Sequence, residues 1–197
     1  MKRFLQFFFL FLLLLSGIYF LFLSERYPLY ALTHSFATGD SIDAYNGIAV
    51  YNNGVDYSKS SGKHYNKDSS FYYGKKWQCV EYIKRYYHDH LLFTMTDGMG
   101  HAKDFFDPAV KQGGLNKRRG LLQFKNDDTE KPKVNDILVF GGKYGHVAIV
   151  TNVSGNEVEV IQQNIYMQPR EKFKLAVKNG ICSIGDKRKP NGWLRIP

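Results

Sequence analysis

DILVFGGKYGHVAIVTNVSGNEVEVIQQN, residues 136–164, contains three apolar or alternating runs, Asp136 to Phe140, His146 to Val153 and Glu157 to Gln162. Gly141-Gly142 and Ser154-Gly155-Asn156 divide them. Period-two alternation broken by turn residues is the pattern of strands joined by hairpins, so the stretch is expected to form an antiparallel meander. Within YGHVAIV, His146, Ala148 and Val150 fall on one face of the strand, and Val147 and Ile149 on the other. In an antiparallel pair the end of one strand lies beside the start of its neighbour, which brings Gln162 or Asn164 toward His146.

Upstream the period changes. Val80, Ile83 and Tyr87, with Tyr82 and Tyr86 one step over, recur at three- and four-residue spacing among Glu81, Lys84 and Arg85, which predicts an amphipathic helix starting close to Cys79 and ending near Asp89–His90. A second helix is expected over Ala102 to Gln112, kinked or broken at Pro108 and stopped by Gly113-Gly114. Shorter strands are expected at Ile48–Tyr51, 172–177 and 193–196, with a turn at Asn52-Asn53-Gly54 and a polar loop over 57–70. Helices first and strands afterwards, without βα alternation, point to an α+β fold.

The amino-terminal part reads differently. Phe4 to Leu23 is almost uninterrupted apolar sequence, and about twenty helical residues cover a bilayer's roughly 30 Å hydrocarbon core. Residues 1–24 are therefore expected to be a transmembrane signal anchor, 25–46 a linker, and 47–197 the globular domain. Lys2 and Arg3 ahead of the apolar run predict a single-pass protein of the bacterial inner membrane with its domain on the extracytoplasmic side. A cleaved signal peptide fits less well, because the small-x-small string Ser35-Phe36-Ala37 lies too far downstream. The net charge of +9 suits work beside anionic polymers such as cell wall or lipid headgroups. No zinc spacing, RNA-binding aromatic signature or basic heptad helix is present, so nucleic acid is set aside as a partner, and a monomer is expected.

Two cysteines are too few for a disulfide framework. Cys182 follows Gly180-Ile181 and reads as a small buried thiol. Cys79 stands at a helix start, where unpaired backbone N–H groups and a nearby imidazole favour a thiolate. His146, following Gly145, is its candidate base, and a carboxamide from Gln162 or Asn164 could hold the imidazole tautomer. No metal is expected. His88, Asp89 and His90 lack further partners, Asp68 sits beside Lys67, and no cofactor motif occurs.

The strings YGKKWQCVEYIKRYY, VNDILVF, YGHVAIVTNV, VIQQN and NGW resemble, in order and spacing, the CHAP family of cysteine, histidine-dependent amidohydrolases and peptidases. The likeness is strong to the amidase half of bifunctional glutathionylspermidine synthetase/amidases and spans about residues 48–196. It implies a papain-like fold with N-terminal helices packed on an antiparallel sheet, Cys79 as nucleophile, His146 as general base, and hydrolysis through a thioester. By the same resemblance Asn164 matches a third motif residue, and Gln78 and Trp77 are expected at oxyanion and substrate-binding positions. Two departures stand out: Gln162 replaces a glutamate, and Asn135 replaces a glycine ahead of the DILV run. Peptidoglycan peptides are the expected substrate. The alternatives are a glutathione–polyamine conjugate and a degenerate module that binds wall or protein without catalysis.

Overall fold

The computed structural model describes residues 2–26, 35–97 and 99–197, which divide into two compact units, 1–36 and 37–197. In the first unit Lys2–Arg26 forms helix α1. The expected transmembrane anchor is corrected here: among the described residues no helix is long and apolar enough to cross a membrane. The single-pass inner-membrane location and the extracytoplasmic side deduced from it go with the anchor. Residues 27–34 of the expected linker lie outside the described residues.

The second unit opens with the hairpin β1 (Ser41–Tyr45) and β2 (Ile48–Tyr51). Its two-residue turn is Asn46-Gly47, both at positive φ, the conformation that matches the right-handed twist of paired strands. A second small ribbon pairs β3 (Lys63–Tyr65) with β4 (Tyr72–Lys75). Then come α2 (Cys79–Asp89), a 3-10 turn at Ala102–Phe105, β5 (Gly114–Asn116) and β6 (Leu121–Lys125). The meander follows as β7 (Ile137–Phe140), β8 (His146–Ser154) and β9 (Glu157–Ile161). The chain closes with β10 (Arg170–Lys178), β11 (Ile181–Ile184) and β12 (Gly192–Arg195). Eight strands make one antiparallel sheet in the order β11-β10-β9-β8-β7-β12-β6-β5.

Alternation along the central strands produces two cores. Ile137, Val139, Val147, Ile149 and Ile161 face α2, where Tyr82, Ile83, Tyr86 and Tyr87 cover them. Leu138, Phe140, Ala148, Val150 and Trp193 face the other way and pack on Phe173, Leu175 and Cys182. An 11-residue helix is marginal by itself, so α2 owes its existence to this burial, worth roughly 1.5–3 kcal/mol for each large apolar side chain. Polar ties fix its rotation. Tyr87 donates to Asn135 O at 2.6 Å and Tyr86 to Asn135 Oδ1 at 2.7 Å. Asn135 holds φ at 74°, a left-handed conformation that asparagine tolerates where glycine stands in the family.

The expected papain-like α+β arrangement, with several N-terminal helices on the sheet behind a membrane helix, is corrected to two helices in all among the described residues and mostly antiparallel sheet. The helix expected over Ala102 to Gln112 is reduced to its first turn. Pro108 disfavours helical geometry at Asp107, and the buried Gln123 captures that residue instead. Gln123 Oε1 accepts from Asp107 N at 2.9 Å, and its Nε2 donates back to Asp107 O at 2.6 Å.

Candidate active site

Cys79 is the first residue of α2 and His146 the first of β8. Both are nearly covered, at 7% and 8% exposure, yet both open into one cleft of about 890 Å³. Backbone N–H groups of Val147 and Val80 act on the thiol, which brings it close to the start of β8. Gly145 makes the approach possible. It holds φ at +72°, and a Cβ there would fall 2.4 Å from Lys103 N, so any side chain would displace the strand start that carries His146.

His146 Nε2 lies 2.9 Å from Gln162 Oε1. The amide orientation of Gln162 is over-determined, because its Nε2 donates to Gln168 O at 3.2 Å and to Glu171 Oε2 at 3.0 Å. Only the oxygen is left to face the ring, so neutral His146 carries its proton on Nε2 and keeps a lone pair on Nδ1. Glu171 is held in turn by Arg188 Nη1 at 2.7 Å, and the Arg188 guanidinium lies 4.2 Å from the centroid of Phe140, the cross-strand partner of His146.

Electrostatics at rest run against a thiolate–imidazolium pair. Burial pushes His146 down from 6.5 to about 3, reinforced by the Arg188 charge and opposed by the Gln162 hydrogen bond. Burial likewise pushes Cys79 up from 9.0 to about 11, although backbone N–H groups and Arg188 pull the other way. At neutral pH both groups are therefore uncharged. The helix start expected to favour a thiolate is outweighed by desolvation.

A second network locks α2 to the sheet. Glu81, fully buried, accepts from Arg85 Nε at 2.6 Å and Gln163 Nε2 at 2.6 Å, and pairs with His64 Nδ1 at 2.8 Å. Burial pushes its carboxyl up, but these partners outweigh that and hold it below the usual range. Gly74 allows β4 to lie against this turn of helix, since a Cβ at 74 would meet Glu81 Cβ at 3.1 Å.

Of the residues expected from sequence, Cys79, His146, Gln78 and Asn164 line the cleft, and Gln162 touches His146 from behind. Gln78 is the N-cap residue of α2, but its amide hydrogens go to Tyr57 O at 3.2 Å and Lys59 O at 2.6 Å, and its Oε1 accepts from Asn164 Nδ2 at 2.8 Å. The pair braces the 57–59 loop. Trp77 does not line the cleft and instead packs against Tyr51 at 4.1 Å and His64 at 5.0 Å. Among the described residues no group of three or more His, Cys, Asp or Glu could hold a metal ion. Sequence reasoning did not single out Glu171 and Arg188, which lie outside every motif and reach the site only through strand pairing.

Residues 68–164 match the CHAP domain. The bifunctional glutathionylspermidine synthetase/amidases of Escherichia coli (strain K12) and Shigella flexneri are each 30% identical over 160 residues, covering 71% of this chain and 25% of theirs. The trypanothione synthetase of Crithidia fasciculata is 25% identical over 165 residues, covering 76% of this chain and 25% of its own. The chain thus spans about a quarter of the length of these relatives. With that match, and with a cysteine and a histidine opening into one cleft, residues 68–164 are assigned to the CHAP domain family.

Proposed function

We propose that the chain hydrolyses amide bonds and does so through a cysteine, with Cys79 as nucleophile and His146 as base. The observation that carries this reading is that Cys79 and His146 open into one cleft while Gln162 fixes the proton of His146 on Nε2. As the sulfur attacks the substrate carbonyl, its proton passes to Nδ1, so charge develops only when substrate is in place. The oxyanion faces the unpaired N–H groups at the start of α2. The imidazolium then protonates the leaving amine, which departs and leaves a thioester on Cys79. Water, deprotonated by His146, hydrolyses the thioester to a carboxylate and restores the thiol.

Glu171 acts one amide away. Its carboxylate fixes the rotamer of Gln162 and faces the site through a neutral group, so it supports the imidazolium less than a directly bound carboxylate would. Peptidoglycan peptides remain our first substrate, supported by the basic balance of the chain although no longer by membrane topology. A glutathione–polyamine conjugate is the second reading, favoured by the names of the relatives. Mass spectrometry of products from both substrates, with wild type and Cys79→Ala, tests the assignment. Products that persist in Cys79→Ala would remove the nucleophile from the scheme.

A further inference from the structure

The charges around the cleft are one-sided. Lys75 comes from β4, Lys84 from α2, Lys143 from the β7–β8 hairpin and Arg188 from the β11–β12 connection, so four separate segments each bring a cation. The one carboxylate in the lining is Glu81, which is fully buried, ion-paired with Arg85 and in contact with His64 Nδ1. Lys75 and Lys143 are exposed, and among the described residues neither has a carboxylate partner. Lys84 is buried, donates to Tyr72 O and lies over the rings of Phe71 and Tyr72.

Arg188 stands closest to the chemistry. Glu171 holds its Nη1, and the face of Phe140 holds its plane, while the residue still lines the cleft near His146. A guanidinium pinned on one edge presents its remaining N–H groups in fixed directions, the arrangement that suits a carboxylate. A polyamine amide would place ammonium groups among four cationic side chains, of which only Arg188 is paired with a carboxylate, in a partly enclosed space where repulsion is screened less than on an open surface.

We propose that this cleft selects amide substrates bearing carboxylates, with Arg188 as the recognition cation and Lys143 as its auxiliary, and that it disfavours polycationic leaving groups. The proposal rests on the amidohydrolase reading above and narrows its substrate to acidic peptide amides.

Binding and turnover separate the two ideas. Three labelled peptides, identical except for one Glu, Gln or Lys, are titrated into the full-chain Cys79→Ala protein by fluorescence anisotropy at low and high salt. The Glu peptide is expected to bind about 10-fold tighter than the Gln peptide, and the Lys peptide weakest, with the gaps closing as salt rises. Lys143→Gln, at an exposed position that leaves the fold alone, should narrow the Glu advantage severalfold, and Arg188→Gln should narrow it further. Equal binding of all three peptides, or tightest binding of the Lys peptide, overturns the proposal. Wild-type protein is then assayed on glutathionylspermidine and on a glutathione amide of a neutral amine of similar length, and the polyamine is expected to be the poorer substrate. Hydrolysis without charge ranking sinks the selectivity and spares the amidase. Charge ranking in binding with no hydrolysis of any amide does the reverse.

Discussion

Just past the end of β9 two neighbouring glutamines, both buried, face two different networks. Gln162 turns its oxygen to His146 and its nitrogen to Glu171 and Gln168. Gln163 turns its oxygen to Tyr51 N at 2.8 Å and its nitrogen to Glu81 and Gln78 O, stitching β2, α2 and the strand end together. The first network positions an imidazole whose pKa burial lowers; the second is a buried ion-pair cluster that keeps a carboxylate charged. Identical side chains on adjacent residues thus serve orientation on one side and anchorage on the other, because successive residues of an extended chain point to opposite faces.

The comparison is broken most severely at Glu81. Glu81→Ala leaves Arg85 buried without its partner, and a loss of about 3–5 kcal/mol is expected, read as a fall in Tm and denaturation midpoint. A protein as stable as wild type would mean that the cluster does not anchor α2. Gln162→Ala should act chiefly on turnover. Stability falls by a smaller amount, about 1–3 kcal/mol for the buried groups left unpaired, while kcat falls roughly 100-fold, about 3 kcal/mol of barrier, because the imidazole loses its tautomer and orientation. A large Tm drop with unchanged kcat would reverse the two roles.

Next in size is a pH effect peculiar to the first network. His146 is depressed to about 3 in the fold, so the unfolded chain binds a proton that the folded chain refuses. Stability should therefore fall as pH drops from about 6.5 toward 3, by about 2 kcal/mol at pH 5, and His146→Gln should flatten that slope in chemical denaturation. The converse change, Gln162→Glu, puts a carboxylate against the ring, raises its pKa, and should move the acid limb of kcat/KM to higher pH. Smallest is Glu171→Gln, which keeps the shape but removes the charge behind Gln162. A loss of about 1 kcal/mol in kcat/KM is expected, and Glu171→Asp should recover little of it if the rotamer matters more than the charge.

Legibility differed by element for physical reasons. The meander β7–β9 and helix α2 could be read because each buries a full periodic face. Of the strands not expected, β1, β3 to β6 and β11, two had a signal in the sequence: Asn46-Gly47 and Asn179-Gly180 each form a two-residue hairpin turn at positive φ, joining β1 to β2 and β10 to β11. The first pair would have placed Ser41–Tyr45 in a strand rather than a tether, and the second Ile181–Ile184 in its partner. The helix expected over Ala102 to Gln112 stops after its first turn, because ahead of Pro108 Gln123 supplies a competing set of partners for the backbone of Asp107.

What sequence alone determined is local: the turn chemistry, the period of each run, and the motif residues Cys79, His146, Gln162, Asn164 and Gln78. Tertiary structure decided what those residues experience. It buried the thiol and the imidazole, which raises the pKa of the first and lowers that of the second against the expected helix-start activation, and it brought Glu171 and Arg188 to the site from β10 and the β11–β12 connection. Desolvation and strand pairing act through neighbours distant along the chain, and no window of sequence contains them.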